Sequence, residues 1–286
     1  MRIAAVREQE GKIFGILEDG RFRPLLSEGA PVRDLRQVIA LVEAKRLDYG
    51  APRPLAEVRL AAPVGPLAKN VICVGKNYYD HAQEFARSGI DQSGDKQEVP
   101  EEPVVFTKAV SALADPLDPV AASADPTNTV DYEGELGVVI GRRCRGVKRA
   151  EALGYVFGYT IVNDVTARAV QQRHKQWFLG KSLDGFCPVG PCLVTADEFG
   201  APDGQELATF VNGERRQFAR LRDMIFDVPT IIETVSAYVT LEPGDLIATG
   251  TPAGVGIGFK PPRYLKPGDV VRVTISGIGE LENPIV

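Results

Sequence analysis

Apolar positions along the chain fall mostly into short runs divided by turn-forming residues, a pattern of strands more than of long helices. Val71-Ile72-Cys73-Val74-Gly75 predicts a buried strand, and the recurrence of Tyr78, Ala82 and Phe85 at helical spacing predicts a short helix after it. Ser88 to Glu102 has two glycines, five acidic residues and no apolar period, so it reads as a surface loop able to close over a site. Asp131 to Ile140 alternates as a strand does, with Asp131, Glu133 and Glu135 on one face and Leu136, Val138 and Ile140 on the other. Tyr155 to Asn163 reads as another buried strand that ends at Asp164. Helices are expected over Ala167 to Trp177 and over Pro229 to Val239, the second with Ile231, Ile232, Val235 and Val239 as its buried stripe. Val211-Asn212-Gly213-Glu214 predicts a tight hairpin. Leu241-Glu242-Pro243-Gly244-Asp245 and Leu265-Lys266-Pro267-Gly268-Asp269 repeat one turn pattern, each leading into a strand.

These elements make a β-rich α+β protein. Prolines cluster over residues 52–54 and 63–66, which marks a boundary and divides the chain into a small N-terminal α+β domain, 1–67, and a larger one, 68–286. At 286 residues, with 44% hydrophobic and 25% charged content, the chain buries a large core. The net charge of −5, with both signs interspersed, excludes the clustered positive field that nucleic acid or an anionic membrane needs, and leaves small-molecule chemistry as the expectation. Neither a signal-like apolar stretch at the start nor a run of membrane-spanning length occurs, which points to the cytoplasm. Cys73, Cys144, Cys187 and Cys192 lack zinc-type spacing and read as reduced, buried thiols.

Acidic side chains inside apolar runs are the clearest chemical signal. Glu133, Glu135 and Asp164 arrive where strands are buried, and unpaired buried charges are costly, so a divalent cation with oxygen ligands is expected between them. A solvated acidic strand face would explain the Glu-x-Glu alone, and an N-cap would explain Asp164 alone. Arg168 and Gln171 follow Asp164 at helical spacing and would face the same side. His81 and Glu84, three apart on one helix, make a general-base pair in which the carboxylate orients the imidazole. The glycine-rich run Thr249 to Gly258 matches neither the P-loop nor the dinucleotide fingerprint. It reads as a tight loop whose hydroxyls and amides grip a substrate carboxylate, or as plain turn geometry.

Taken in order, Gly75-Lys76-Asn77-Tyr78 with His81-x-x-Glu84, Tyr132 to Val139, Asn163 to Arg168, Gly180-Lys181-Ser182 and Thr249-Gly250-Thr251-Pro252 resemble the fumarylacetoacetate hydrolase family over about residues 68 to 286. The resemblance implies a mixed β-roll or sandwich catalytic domain with short helices, a homodimer, and Mg²⁺ or Mn²⁺ on Glu133, Glu135 and Asp164. It implies that His81 and Glu84 lie on a lid, that Gln171 and Lys181 hold substrate oxygens, and that Arg168 supports a carboxylate or the lid. Tyr78, Lys108, Thr249, Gly250 and Thr251 complete the set as substrate-binding candidates. The implied substrates are small 2-keto or 2,4-diketo acids. Hydrolysis of a carbon–carbon bond in an acylpyruvate is the leading expectation, with oxaloacetate decarboxylation or isomerisation of a hydroxyheptadienedioate as the alternative. In each, a metal acting as Lewis acid would favour the enolate.

Overall fold

The computed structural model describes residues 1–87 and 99–286. The expected loop from Ser88 to Glu102 therefore lies largely outside the described residues. In chain order the elements that position the site begin with β1 (Arg2–Glu8), β2 (Gly11–Glu18), β3 (Arg21–Ser27) and α1 (Leu35–Glu43). They continue with β4 (Val71–Gly75), α2 (Tyr79–Arg87), β5 (Val104–Lys108), β6 (Gly134–Ile140) and β7 (Val156–Asn163). Next come α3 (Arg168–Arg173), α4 (Phe178–Lys181), β8 (Cys187–Thr195), β9 (Glu206–Val211) and β10 (Glu214–Arg220). Last are α5 (Val228–Tyr238), β11 (Leu246–Ala248), β12 (Val270–Ile275) and β13 (Gly279–Pro284).

One large mixed sheet carries the strands in the order β3-β2-β1-β8-β7-β6-β11-β4-β5. β11 and β4 run parallel, with Ile247 opposite Ile72 and Ala248 opposite Cys73, whereas β6 pairs antiparallel with both β7 and β11. The central strands are apolar on both faces because both are covered. Val138, Ile140, Tyr159 and Ile161 pack into one core, and Val139, Val162, Cys73 and Leu246 into the other. A separate antiparallel sheet, β10-β9-β12-β13, packs beside them. Residues 1–67 contribute β1, which joins β8 through Arg2 opposite Val194 and Ile3 opposite Leu193, so the N-terminal strands continue the large sheet.

The β-rich α+β expectation holds, and the turn chemistry holds in detail. Asn212 and Gly213 take φ of 53° and 80° between β9 and β10. In both copies of the Pro-Gly-Asp turn the aspartate accepts from the amide three residues back, Asp245 from Glu242 at 2.9 Å and Asp269 from Lys266 at 2.8 Å. The four cysteines are free and buried. Three expectations are corrected. The run from Asp131 to Ile140 is not one strand: Val130–Asp131 pairs with Thr166–Ala167, and β6 starts only at Gly134. The helix expected over 167–177 ends at Arg173, and Lys175 at φ 59° separates it from α4. Val239 is the C-cap of α5 and 45% exposed, because the helix ends at Tyr238 and Val239 takes an extended backbone.

Candidate active site

β6 and β7 deliver the carboxylates. Glu135 lies within β6, Glu133 just before it, and Asp164 just past β7, whose Asn163 side chain accepts from the Glu133 amide at 3.0 Å. All three carboxylates are buried, and one ligand oxygen from each lies within 4.8 Å of the others. Asp131 does not join them. It accepts from Arg168 Nε at 2.9 Å and from the amides of Gly256 and Ile257 at 2.6 and 3.0 Å, so it anchors Arg168 and the neighbouring loop.

Three buried cations surround the trio. Lys181 Nζ bridges Glu133 Oε2 at 2.6 Å and Asp164 Oδ2 at 2.7 Å. Lys108 Nζ donates to Asp164 Oδ1 at 2.7 Å and to the Val165 carbonyl at 3.0 Å. Arg168 Nη1 meets Glu133 Oε1 at 2.6 Å and Gln171 Oε1 at 3.3 Å. Burial alone would raise the Glu133 carboxyl, but Lys181, Arg168 and His81 outweigh it and hold the group at about 2. Burial would lower Lys181, yet Asp164 and Glu133 raise it, so it stays an ammonium. Glu135 is different: burial, then the negative Asp164 and Glu133, push it well above the usual carboxylate range, and Gly250 N–H at 2.8 Å relieves it only in part. Among the described residues four carboxyl groups thus face three cations, and Glu135 is the one that makes no ion pair.

This donor set fits a hard divalent cation, because carboxylate oxygens suit Mg²⁺ or Mn²⁺ and the cluster lacks positive charge. Among the described residues the buried Arg168 Nη2 has no hydrogen-bond partner, and the residue lines the cavity, as a site awaiting a ligand oxygen requires. The cavity is small, with about 20 Å³ of free volume, room for an ion or a water in this conformation. Its wall includes Lys76, His81, Phe85, Phe106, Glu133, Glu135, Arg168, Gln171, Trp177, Lys181 and Thr251.

α2 brings His81 to this wall, where it is 5% exposed, with Nδ1 3.3 Å from Glu84 Oε2. Buried Ala82 and Phe85 hold the helix in place, and Glu84 accepts from the Gly254 amide at 3.1 Å. With Nδ1 turned to Glu84, Nε2 is the nitrogen available for proton transfer.

The glycine-rich loop commits its donors to the protein's own groups. Thr249 and Thr251 hydroxyls donate to the carbonyls of Leu136 and Gly134 at 3.1 and 2.9 Å, while amides of Gly250, Gly254 and Gly256 hold Glu135, Glu84 and Asp131. Gly250 at φ 104° has no alternative, since an added Cβ would lie 2.7 Å from Asn77 Cβ. Of the substrate-binding candidates, Thr251 lines the cavity; Tyr78, Lys108, Thr249 and Gly250 stand behind it, and the buried Tyr78 hydroxyl has no partner. Sequence reasoning missed Gln217, whose amide accepts from Gly134 N at 3.1 Å and donates to Thr251 Oγ1 and the Pro252 carbonyl at 2.7 Å each. Nothing in an isolated β10 signals that role.

The family model for the fumarylacetoacetate (FAA) hydrolase C-terminal region matches residues 70–286. Oxaloacetate tautomerase YisK of Bacillus subtilis is 49% identical over 231 residues, 81% of this chain and 74% of that protein. A fumarylacetoacetate hydrolase from Exiguobacterium antarcticum superposes with a TM-score of 0.83 at 44% identity, covering 100% of this chain and 99% of its own. Maleylpyruvate hydrolase from Sphingobium sp. SYK-6, solved with manganese and pyruvate, superposes with a TM-score of 0.76 at 32% identity, covering 100% and 99%.

Proposed function

Since the chain belongs to the fumarylacetoacetate hydrolase family, we propose that it is a divalent-metal enzyme that moves a proton between C3 and the C2 oxygen of an oxaloacetate-type 2-oxo acid, a keto–enol tautomerase. The observation that carries the reading is one cavity lined by the buried carboxylates and by a histidine backed by a glutamate. Mg²⁺ or Mn²⁺ held by Glu133, Glu135 and Asp164 would supply Lewis-acid polarisation of the 2-oxo group.

The remaining steps belong to the protein. Arg168 Nη2 receives the substrate's C1 carboxylate, and the Gln171 amide orients it. His81 Nε2 takes the C3 proton, and the developing imidazolium is balanced by Glu84. Lys181, kept protonated by its carboxylates, faces the charge that builds on oxygen. The same proton returned to that oxygen completes the enol, so atoms and charge balance with no attacking water. The tautomerase of 49% identity supports this choice.

Hydrolysis of an acylpyruvate is the second reading, favoured by Glu84 behind His81, a pair equally suited to activating water. Decay of the ultraviolet enol absorbance, followed for oxaloacetate and for acetylpyruvate with Mg²⁺ or Mn²⁺, tests both. The proposal expects faster approach to the oxaloacetate equilibrium, and a loss of roughly 10²–10⁴-fold in His81→Ala. Release of acetate from acetylpyruvate with no effect on oxaloacetate would reject it for the hydrolase. The expected homodimer stays a proposal, supported by Val105 exposed on the outermost strand β5 and by Phe178 and Leu179 exposed on α4. A sedimentation mass equal to one chain would reject it.

A further inference from the structure

Among the residues that line the cavity, only Gly75, Phe106 and Trp177 are partly exposed; Arg168, Lys181, His81 and the carboxylates are buried. The cavity therefore opens between the end of β4, the middle of β5 and the residue that leads into α4. Trp177 stands at that opening. Its ring lies directly on Gly75, where an added Cβ would be 2.4 Å from Trp177 Cζ3, so the absence of a side chain there lets the ring come this close. It meets Phe106 of β5 edge-on at 5.2 Å and Phe85 of α2 edge-on at 5.9 Å, contacts with two further elements that hold it in place.

The reacting groups are close behind the ring. Lys181 Nζ, which bridges Glu133 and Asp164, lies 5.1 Å from the Phe106 ring centroid. An acid whose C1 carboxylate is held at Arg168 sends its remaining carbons toward the opening, because the rest of the lining is buried. With about 20 Å³ free, a bound acid gains length only by moving the wall it runs into, and at the opening that wall is the indole. Close-packed walls resist added methylenes.

We propose that Trp177 is a specificity-determining residue that limits the length of the acid beyond its 2-oxo group. This rests on the reading of the site as one for 2-oxo acids. The test is calorimetric titration of pyruvate and of 2-oxohexanoate, monoacids that differ only in chain length, into the Mn²⁺-loaded full chain and its Trp177→Phe and Trp177→Ala variants.

The wild type should bind 2-oxohexanoate at least about tenfold more weakly than pyruvate. Trp177→Ala should bring the two acids level or reverse their order, because the longer chain fills the space the ring leaves. Trp177→Phe, which keeps a ring against Gly75, should fall between. Pyruvate affinity should change far less than that of 2-oxohexanoate, which separates altered length selection from a disturbed site. If Trp177→Ala melts too low to titrate, Trp177→Phe carries the comparison alone. A wild type that binds both acids equally or the longer one more tightly, or a ratio unchanged by the substitutions, would overturn the role of Trp177 and leave the 2-oxo acid reading standing. A wild type that binds neither acid would remove that reading, and this role with it.

Discussion

At the scale of single residues, the site is governed by which charges are matched. Lys181, Lys108 and Arg168 satisfy Glu133, Asp164 and Asp131, whereas Glu135 makes no ion pair among the described residues, and two repelling carboxylates outweigh the pull of Lys181 and the Gly250 amide. Glu133 and Glu135 are two residues apart, yet the neighbours of one pull its carboxyl down and those of the other push it up. Sequence alternation finds the pair but not this difference, because the cations come from β5, α3 and α4. Steric fit matters equally at Gly75, against which Trp177 rests. Gly75→Ala should destabilise the fold by about 1–3 kcal/mol, as overpacking does, and lower activity by displacing the Trp177 ring from the cavity wall. Urea denaturation checks it, and an unchanged midpoint would mean that Trp177 moves freely.

At the scale of elements, legibility depended on whether a segment's neighbours matter. β4 matches its apolar run residue for residue, and α2 matches the stripe of Tyr78, Ala82 and Phe85, because burial on a fixed period needs no knowledge of the partner. The break before Gly134 was invisible, since alternation continues through Tyr132 and Glu133 while the pairing partner changes from Thr166–Ala167 to β7. Asp164 shows the same limit. It caps no helix: α3 begins at Arg168, and its N-terminal amides reach the Thr129 carbonyl and hydroxyl at 3.1 and 3.0 Å. Between elements, Lys12 of β2 donates to the Ala62 carbonyl at 2.8 Å and to the Val64 carbonyl. Burial lowers its pKa to about 8, against the opposing pull of Asp115. In the unfolded chain it returns toward 10.5, so between about pH 8 and 10.5 the unfolded state binds more protons and stability rises with pH. From pH 7.5 to 9.5 the wild type should therefore gain about 1–2 kcal/mol relative to Lys12→Met, measured by urea denaturation. A constant difference between the two would contradict it.

At the scale of the whole molecule, one sheet joins the N-terminal strands to the strands that carry the carboxylates. The proline-rich connection reads as a boundary in the sequence, but β1 lies hydrogen-bonded along β8, and Ile3, Ala5 and Phe14 share a core with Val139, Val162 and Cys73. A chain lacking residues 1–67 should accordingly expose the β8 edge and aggregate, whereas independent folding with full activity would show the division to be complete. Around that frame, the four-stranded sheet holds the strand of Glu135 and the glycine-rich loop together through Gln217. The central claim is that Glu135, which makes no ion pair among the described residues, completes with Glu133 and Asp164 a site for one divalent cation. Calorimetric titration of Mn²⁺ into the full chain and into Glu135→Gln tests it most directly. The account predicts one ion per chain for the wild type, with affinity at least about 100-fold weaker in the variant. Equal affinity in both proteins, or no uptake by the wild type, would contradict it.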